Sequence, residues 1–297
     1  MIVSRIFGGL GNQMFQYAFG LYQAQRNHTE LVLDCSAFAQ DPSRTYMLDR
    51  WKIDARVASD SQRQLFPRRN GGRGWNNLWR GRVPLRCVRE RPFGFQAKYL
   101  SSGGDVYLDG YWQSERYFPD LRTQLQIQFQ PADSQSKEST AIARRMEQGP
   151  SVSLHVRRGD YVQNPITLKI HGVCTSGYYR ACVEALLERF EKLHLYVFSD
   201  DPPWCKQHLN FSCPMTHVEH NGPADAHEDL WLMTRCRHHI VANSTFSWWG
   251  AWLRADESGA TYAPEQWFLD ARYDSRSIVP ATWKKMAVTE SSQQQAA

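Results

Sequence analysis

No two cysteines of this 297-residue chain stand in a C-x-x-C spacing, so neither a zinc knuckle nor a redox dithiol is indicated. The seven that occur are odd in number and scattered, as expected of reduced thiols. No window reaches the eighteen or more apolar residues of a transmembrane helix. The opening residues, Met1 to Gly9, lack the charged region and apolar stretch of a secretory signal. A cytoplasmic location is therefore expected, and the glycosylation sequons at Asn27, Asn210 and Asn243 carry little weight. A strong excess of either charge is also missing. The net charge of +5 suits an anionic small ligand or a transient membrane-surface contact, and is too small to argue for nucleic acid.

What is present describes a globular protein. Hydrophobic residues make up 42% and charged residues 22%, and the length allows two ordinary domains or one large one. The eleven tryptophans are enough to stack on sugar faces, although most tryptophans in any protein are core.

Ile2 to Phe7 reads as a strand, Gly8 to Gln13 as a glycine-rich turn, and Met14 to about Arg26 as a helix with Met14, Tyr17, Ala18 and Leu21 at helical spacing. A second strand at Leu31–Asp34 completes a unit of the kind that builds parallel sheets. The interval from Gln62 to Arg91 holds nine arginines against one acid, Glu90. It reads either as a solvated loop or as a patch that touches anionic lipid at the inner face of the membrane. A strand from Val106 to Gly110 and a helix from Tyr117 to Phe129 follow. The polar run Asp133 to Ser139 and then Gly149-Pro150 punctuate the chain, which places a domain boundary between 149 and 150. Beyond it the rhythm restarts, with strands at Val152 to Val156, Leu193 to Ser199 and His239 to Ala242. Helices are expected between and after them at Tyr178 to Phe190, Glu228 to Arg235 and Phe246 to Arg254. The expected architecture is α/β, two Rossmann-like domains facing a central cleft lined by the carboxyl edges of their sheets.

Four segments at strand ends carry chemistry. In the first, Gly8 to Gln13, glycines allow close backbone approach and the following helix offers free N–H groups; Asn12 and Gln13 can each donate to and accept from a sugar hydroxyl. The second is His155-Val156-Arg157-Arg158-Gly159-Asp160-Tyr161, a strand running into a basic turn. Arginine binds phosphate oxygens through paired charge-assisted hydrogen bonds. Strand alternation puts His155 and Arg157 on one face and turns Arg158 away, leaving it to brace the loop through Asp160. In the third, Tyr196 to Pro202, Asp200 lies at the same sheet edge, and Asp201 either joins it or caps a helix begun by Pro202. The fourth runs from Ile240 to Trp252: a strand enters the turn Asn243-Ser244-Thr245-Phe246-Ser247, which opens a helix and is a natural seat for a diphosphate, with an ordinary cap as the plain reading. Upstream, Asp229 heads a helix, as a dipole partner or as an acceptor for a planar bidentate donor such as a guanine edge. No D-x-D occurs, so the usual carboxylate pair of metal-dependent nucleotide-sugar enzymes is missing.

Together these segments, with Gly110-Tyr111-Trp112-Gln113-Ser114-Glu115-Arg116-Tyr117-Phe118, resemble the blocks of the bacterial α-1,2-fucosyltransferases in the family's order, from residue 7 to about 253. The resemblance implies a GT-B fold and transfer of L-fucose from GDP-β-L-fucose to O2 of a terminal galactose, with inversion, no cofactor and no metal. It implies that His155 and Asp229 meet guanine and Arg157 the β-phosphate, and that Asn243, Ser244, Thr245, Phe246 and Ser247 receive the diphosphate, with Asp200, Gly9 and Gly11 also at the donor. Asn12, Gln13, Trp112 and Gln113 fall to the acceptor. Arg157 and a helix N-terminus supply charge stabilisation for departing GDP. For the acceptor proton, Glu115 and Asp160 are the candidate bases, beside a mechanism in which Asn12 merely orients the hydroxyl. Competing readings are transfer of fucose to another hydroxyl or of another sugar from GDP, a non-catalytic nucleotide-sugar or glycan binder, and last a nucleic-acid binder using the basic interval.

Overall fold

The computed structural model describes residues 1–66, 85–255 and 258–288. The chain forms two compact units, Met1–Gln128 and Phe129–Ala297. Each is built on a parallel sheet, and their elements follow the chain.

The first unit contains β1 (Ile2–Arg5), α1 (Leu10–Arg26), β2 (Leu31–Asp34), β3 (Arg56–Val57), α2 (Asp60–Arg63), β4 (Arg86–Arg89), β5 (Val106–Asp109) and α3 (Arg122–Gln128). Its strands lie in the order β3-β2-β1-β5-β4. β1 is covered on both faces and is apolar through Ile2 and Val3; its last residue, Arg5, is only half-buried. Glycine is required at residue 8, where φ is +76° and the chain turns from β1 into α1. The helix expected from Tyr117 begins later. Pro119 and the left-handed Asp120 (φ 65°) separate a short turn at Glu115–Tyr117 from α3. Of the basic interval, residues 67–84 lie outside the described residues, and with them the expected membrane patch.

The second unit contains α4 (Lys137–Glu147), β6 (Ser151–Val156), α5 (Gly159–Gln163), α6 (Pro165–His171), α7 (Ser176–Leu187), β7 (His194–Ser199), α8 (Pro202–His208), β8 (Met215–His217), α9 (Ala226–Arg235), β9 (His238–Ile240), α10 (Thr245–Trp252), β10 (Thr261–Pro264) and β11 (Lys284–Met286). The strand order is β11-β10-β9-β6-β7-β8. Ile142, Ala143 and Met146 of α4 pack with Tyr196, Phe198, Leu232 and Met233. The amphipathic α4 thus buries its apolar stripe in the second unit, and the division falls ahead of the expected 149/150 boundary. No helix among the described residues is long and apolar enough to cross a membrane.

Candidate functional site

β6 lies within the second sheet between β9 and β7. Val152, Leu154 and Val156 enter one core cluster, while His155 pairs in register with Phe198 and faces the other side, its ring 5.6 Å from that of Phe246. Burial, aided by the charge of Arg157, pushes the His155 pKa from 6.5 down to about 3, so the ring is neutral at physiological pH. Its Nδ1 has no hydrogen-bond partner among the described residues. A buried ring nitrogen in that condition is one that a ligand can satisfy.

Past the end of β6 the two arginines diverge. Arg157 donates to Asp160 at 2.7 Å and is paired with Asp200 at 3.0 Å, and its guanidinium lies 5.3 Å from the Tyr161 ring centroid. Arg158 pairs instead with Asp201 at 3.1 Å, stacks over Trp204 at 4.3 Å, and gives its backbone N–H to Asp200 at 2.8 Å. This corrects the expected pairing of Arg158 with Asp160. Asp160 stands three residues after Arg157 in the first turn of α5 and so meets that guanidinium, whereas Arg158 reaches the end of β7. The bracing role of Arg158 stands, with a different carboxylate and an aromatic platform that had no local sequence signal. Asp201 also caps α8, accepting from Trp204 N–H at 3.2 Å. Close approach requires the glycine here: a Cβ on Gly159 would lie 2.7 Å from Asp200 Oδ2.

The turn after β9 is tied to this edge. Tyr161 donates its hydroxyl to the Asn243 carbonyl at 3.3 Å, which joins the ring beside Arg157 to the chain entering α10. The Asn243 side chain is buried and donates to the carbonyl of His171 at 2.8 Å, fastening the end of α6. Ser244 is the N-cap of α10 but makes no side-chain cap bond. Thr245, Phe246 and Ser247 form the first turn, whose N–H groups carry the positive end of the helix dipole. Ser247 turns its hydroxyl back to the Ser244 carbonyl at 3.2 Å. In α9, burial raises the Asp229 pKa from 3.8 to about 6, against the hydrogen bond that Asn221 donates at 2.8 Å.

In the first unit, Gly9 caps α1 and Gly11 is buried within it. Gln13 is fully enclosed: Nε2 donates to the carbonyls of Gly8 at 2.9 Å and Thr45 at 2.7 Å, and Oε1 accepts from Met47 N–H at 3.0 Å. Trp112 is fully buried with φ 58°, its ring 4.4 Å from Phe19 and 5.4 Å from Tyr117. These two side chains serve backbone and core. Asn12 and Gln113 are brought together, the Gln113 amide donating to Asn12 Oδ1 at 2.8 Å. Glu115 is half-buried in the short turn that follows. Sequence reasoning passed over Glu90, the lone acid of the basic interval. It accepts from the backbone N–H groups of Tyr111 at 2.6 Å and Trp112 at 3.0 Å, and burial raises its pKa from 4.5 to about 7.

Residues 93–287 match the model of glycosyl transferase family 11. The chain is 36% identical to an alpha-1,2-colitosyltransferase of Escherichia coli, over 96% of this chain and 99% of that protein. It is 28% identical to the galactoside alpha-(1,2)-fucosyltransferase 1 of Ateles belzebuth, over 84% of this chain and 64% of the relative. Among solved structures, a mutant of Arabidopsis thaliana FUT1 in complex with GDP superimposes with a TM-score of 0.51 at 12% identity, covering 94% of this chain and 75% of that one. The fold is accordingly of GT-B type, with two parallel-sheet α/β units.

Proposed function

The chain belongs to glycosyl transferase family 11, and from that premise we propose that it moves L-fucose from GDP-β-L-fucose to O2 of a terminal β-galactose, with inversion and without a metal. The second unit holds the donor and the first holds the acceptor. One observation carries the reading: the guanidinium of Arg157, oriented by two carboxylates, is joined through Tyr161 to the turn that opens α10. A fixed cation and a helix N-terminus at one sheet edge suit a diphosphate.

Breaking the bond to fucose leaves negative charge growing on GDP. Arg157 and the N–H groups of α10 stabilise it without reorganising, which is why no metal is called for. The diphosphate competes for Arg157 with its two carboxylates. Asp160, 39% exposed against 26% for Asp200, is the one displaced, and Asp200 stays to hold both arginine segments. His155 meets the guanine through its unpartnered nitrogen, and Asp229 accepts from the guanine edge in place of Asn221. At the start of α1 the Cβ position of Gly9 is open, which leaves room for a sugar to approach the backbone. On the acceptor side Gln113 orients Asn12, which orients the attacking hydroxyl. The acceptor hydroxyl gives up its proton to water only after its oxygen has begun to bond to the oxocarbenium-like carbon, as the bond to GDP breaks, so Glu115 and Asp160 are not needed as strong bases. We place the reaction in the cytoplasm, where the free cysteines stay reduced.

A second reading keeps the site and changes the sugar. The relative from Escherichia coli is named for colitose, which is fucose without its 3-hydroxyl, and that name favours a GDP-colitose donor. The deciding experiment supplies GDP-fucose and GDP-colitose in competition with β-galactosides, with and without EDTA, and assigns the product linkage by NMR. An α-1,2-fucosyl product insensitive to EDTA is expected. Preference for GDP-colitose selects the second reading; a different linkage or loss of turnover in EDTA sinks the first.

A further inference from the structure

In the first sheet the final residues of four strands are charged: Arg5 of β1, Asp34 of β2, Arg89 of β4 and Asp109 of β5. They line a cavity of about 230 Å³ together with Arg63, Phe66 and Tyr107. We propose that this cavity is a subsite for a second sugar unit of the acceptor, next in the chain to the galactose whose hydroxyl reacts; the proposal rests on the acceptor reading above.

The polar groups are built into place. Asp109 accepts from Arg5 through Oδ1 and from Arg89 through Oδ2, each at 2.9 Å, and the side chains of Arg5 and Asp109 are only 11% and 12% exposed. Burial pushes the Asp109 pKa up, but the two guanidiniums overcome this and hold the carboxyl below its usual value. Tyr107 donates to Asp34 Oδ2 at 2.6 Å, and its ring lies 5.3 Å from Phe66. The cavity therefore offers fixed acceptors, fixed donors and an aromatic wall in a volume suited to one monosaccharide. Adjacent sugar hydroxyls can each give a hydrogen to a carboxylate and take one from a guanidinium. Arg5 and Arg89 already share Asp109 and Arg63 pairs with Asp60, which leaves little positive charge for a free phosphate, and an apolar ligand would leave charged groups unsolvated.

A chain of side-chain contacts links the cavity lining to the expected acceptor turn. Arg5 lies over the Phe7 ring at 4.6 Å, and Phe7 meets the exposed Tyr111 edge-on at 5.0 Å. Tyr111 immediately precedes Trp112 and Gln113 in the chain. This strip of rings and guanidinium gives an oligosaccharide one path, from the Asn12–Gln113 pair to the pocket.

The test compares kcat/KM for methyl β-galactoside with that for a galactose-terminated tetrasaccharide, in the wild type, Arg63→Ala, Gln40→Ala and Asp109→Asn. Arg63 pairs with the exposed Asp60 and Gln40 is exposed at the cavity, so these two variants keep the fold even where the third does not. The wild type is expected to prefer the longer acceptor, and the preference to fall about 10-fold in the variants through KM. An unchanged ratio overturns the subsite. Saturation-transfer NMR with the tetrasaccharide, without donor, separates the two claims: transfer can fail while sugar binding remains sensitive to Arg63→Ala, and then only the parent reading falls. Inorganic phosphate displacing the tetrasaccharide, or tetrasaccharide binding indifferent to all three substitutions, also overturns the proposal.

Discussion

At the end of β6 the buried imidazole of His155 keeps Nδ1 without a partner among the described residues, whereas at the start of α1 the equally buried amide of Gln13 makes three hydrogen bonds to backbone. Both residues are polar, His155 near the end of a buried strand and Gln13 in the first turn of the helix after one, and both belong to segments with the look of a ligand site. The difference is satisfaction. A buried polar atom costs free energy until something pairs with it, so the first leaves a position for a ligand and the second is already part of the scaffold. The same contrast separates the arginines of one heptapeptide: Arg157 shares charges that a diphosphate can replace, while Arg158 is locked between Asp201 and Trp204.

The sharpest way to test the contrast is at Arg157. Arg157→Ala should lower kcat by about 10²–10³-fold, the scale of removing one preorganised charge-stabilising donor, with the circular dichroism spectrum retained. Gln13→Leu should act on stability, removing roughly 2–4 kcal/mol as three backbone groups lose their partner, read by urea denaturation. If acceptor affinity per folded molecule collapses as well, the scaffold assignment of Gln13 is wrong.

Glu90 gives a pH-dependent version. Its folded pKa is raised to about 7 from 4.5, so its stabilising contribution is complete below 4.5 and is lost as pH rises through 7. Stability should decline across that window by roughly 3 kcal/mol, and Glu90→Gln, which keeps an acceptor for Tyr111 and Trp112 N–H, should flatten the slope. A slope that survives the substitution assigns it to another group. The smallest effect is expected at Gly159→Ala, where the added methyl must move Asp200 at a cost of about 1 kcal/mol. It should raise KM for GDP-fucose several-fold; an unchanged KM would show that Asp200 does not set the position of Arg157.

Much of the fold was legible. The strand at Leu31–Asp34 is observed with the expected limits, and β6, β7, α9 and α10 differ from expectation by a residue or two at their ends, where local signals are weakest. Less legible was the pair α5 and α6, since Gly159 and Pro165 disguise two short helices as loop. The site followed the same pattern. Candidate groups at strand ends were visible because an apolar run closing on glycine, arginine or aspartate is a local signal. Glu90 offered only its isolation among nine arginines, and Trp204 under Arg158 offered nothing.

The sequence by itself determined a parallel α/β chain with anion-binding and amide groups at its strand ends, because periodicity and turn chemistry act between near neighbours. Only the tertiary structure decided which of these groups are still open. Asp200 meets Arg157 from just beyond the end of β7, and Thr45 and Met47 close over Gln13 from beyond β2. Such pairings depend on which segments the sheet brings side by side, and hydrogen-bond satisfaction, unlike hydrophobic pattern, exists only once they are there.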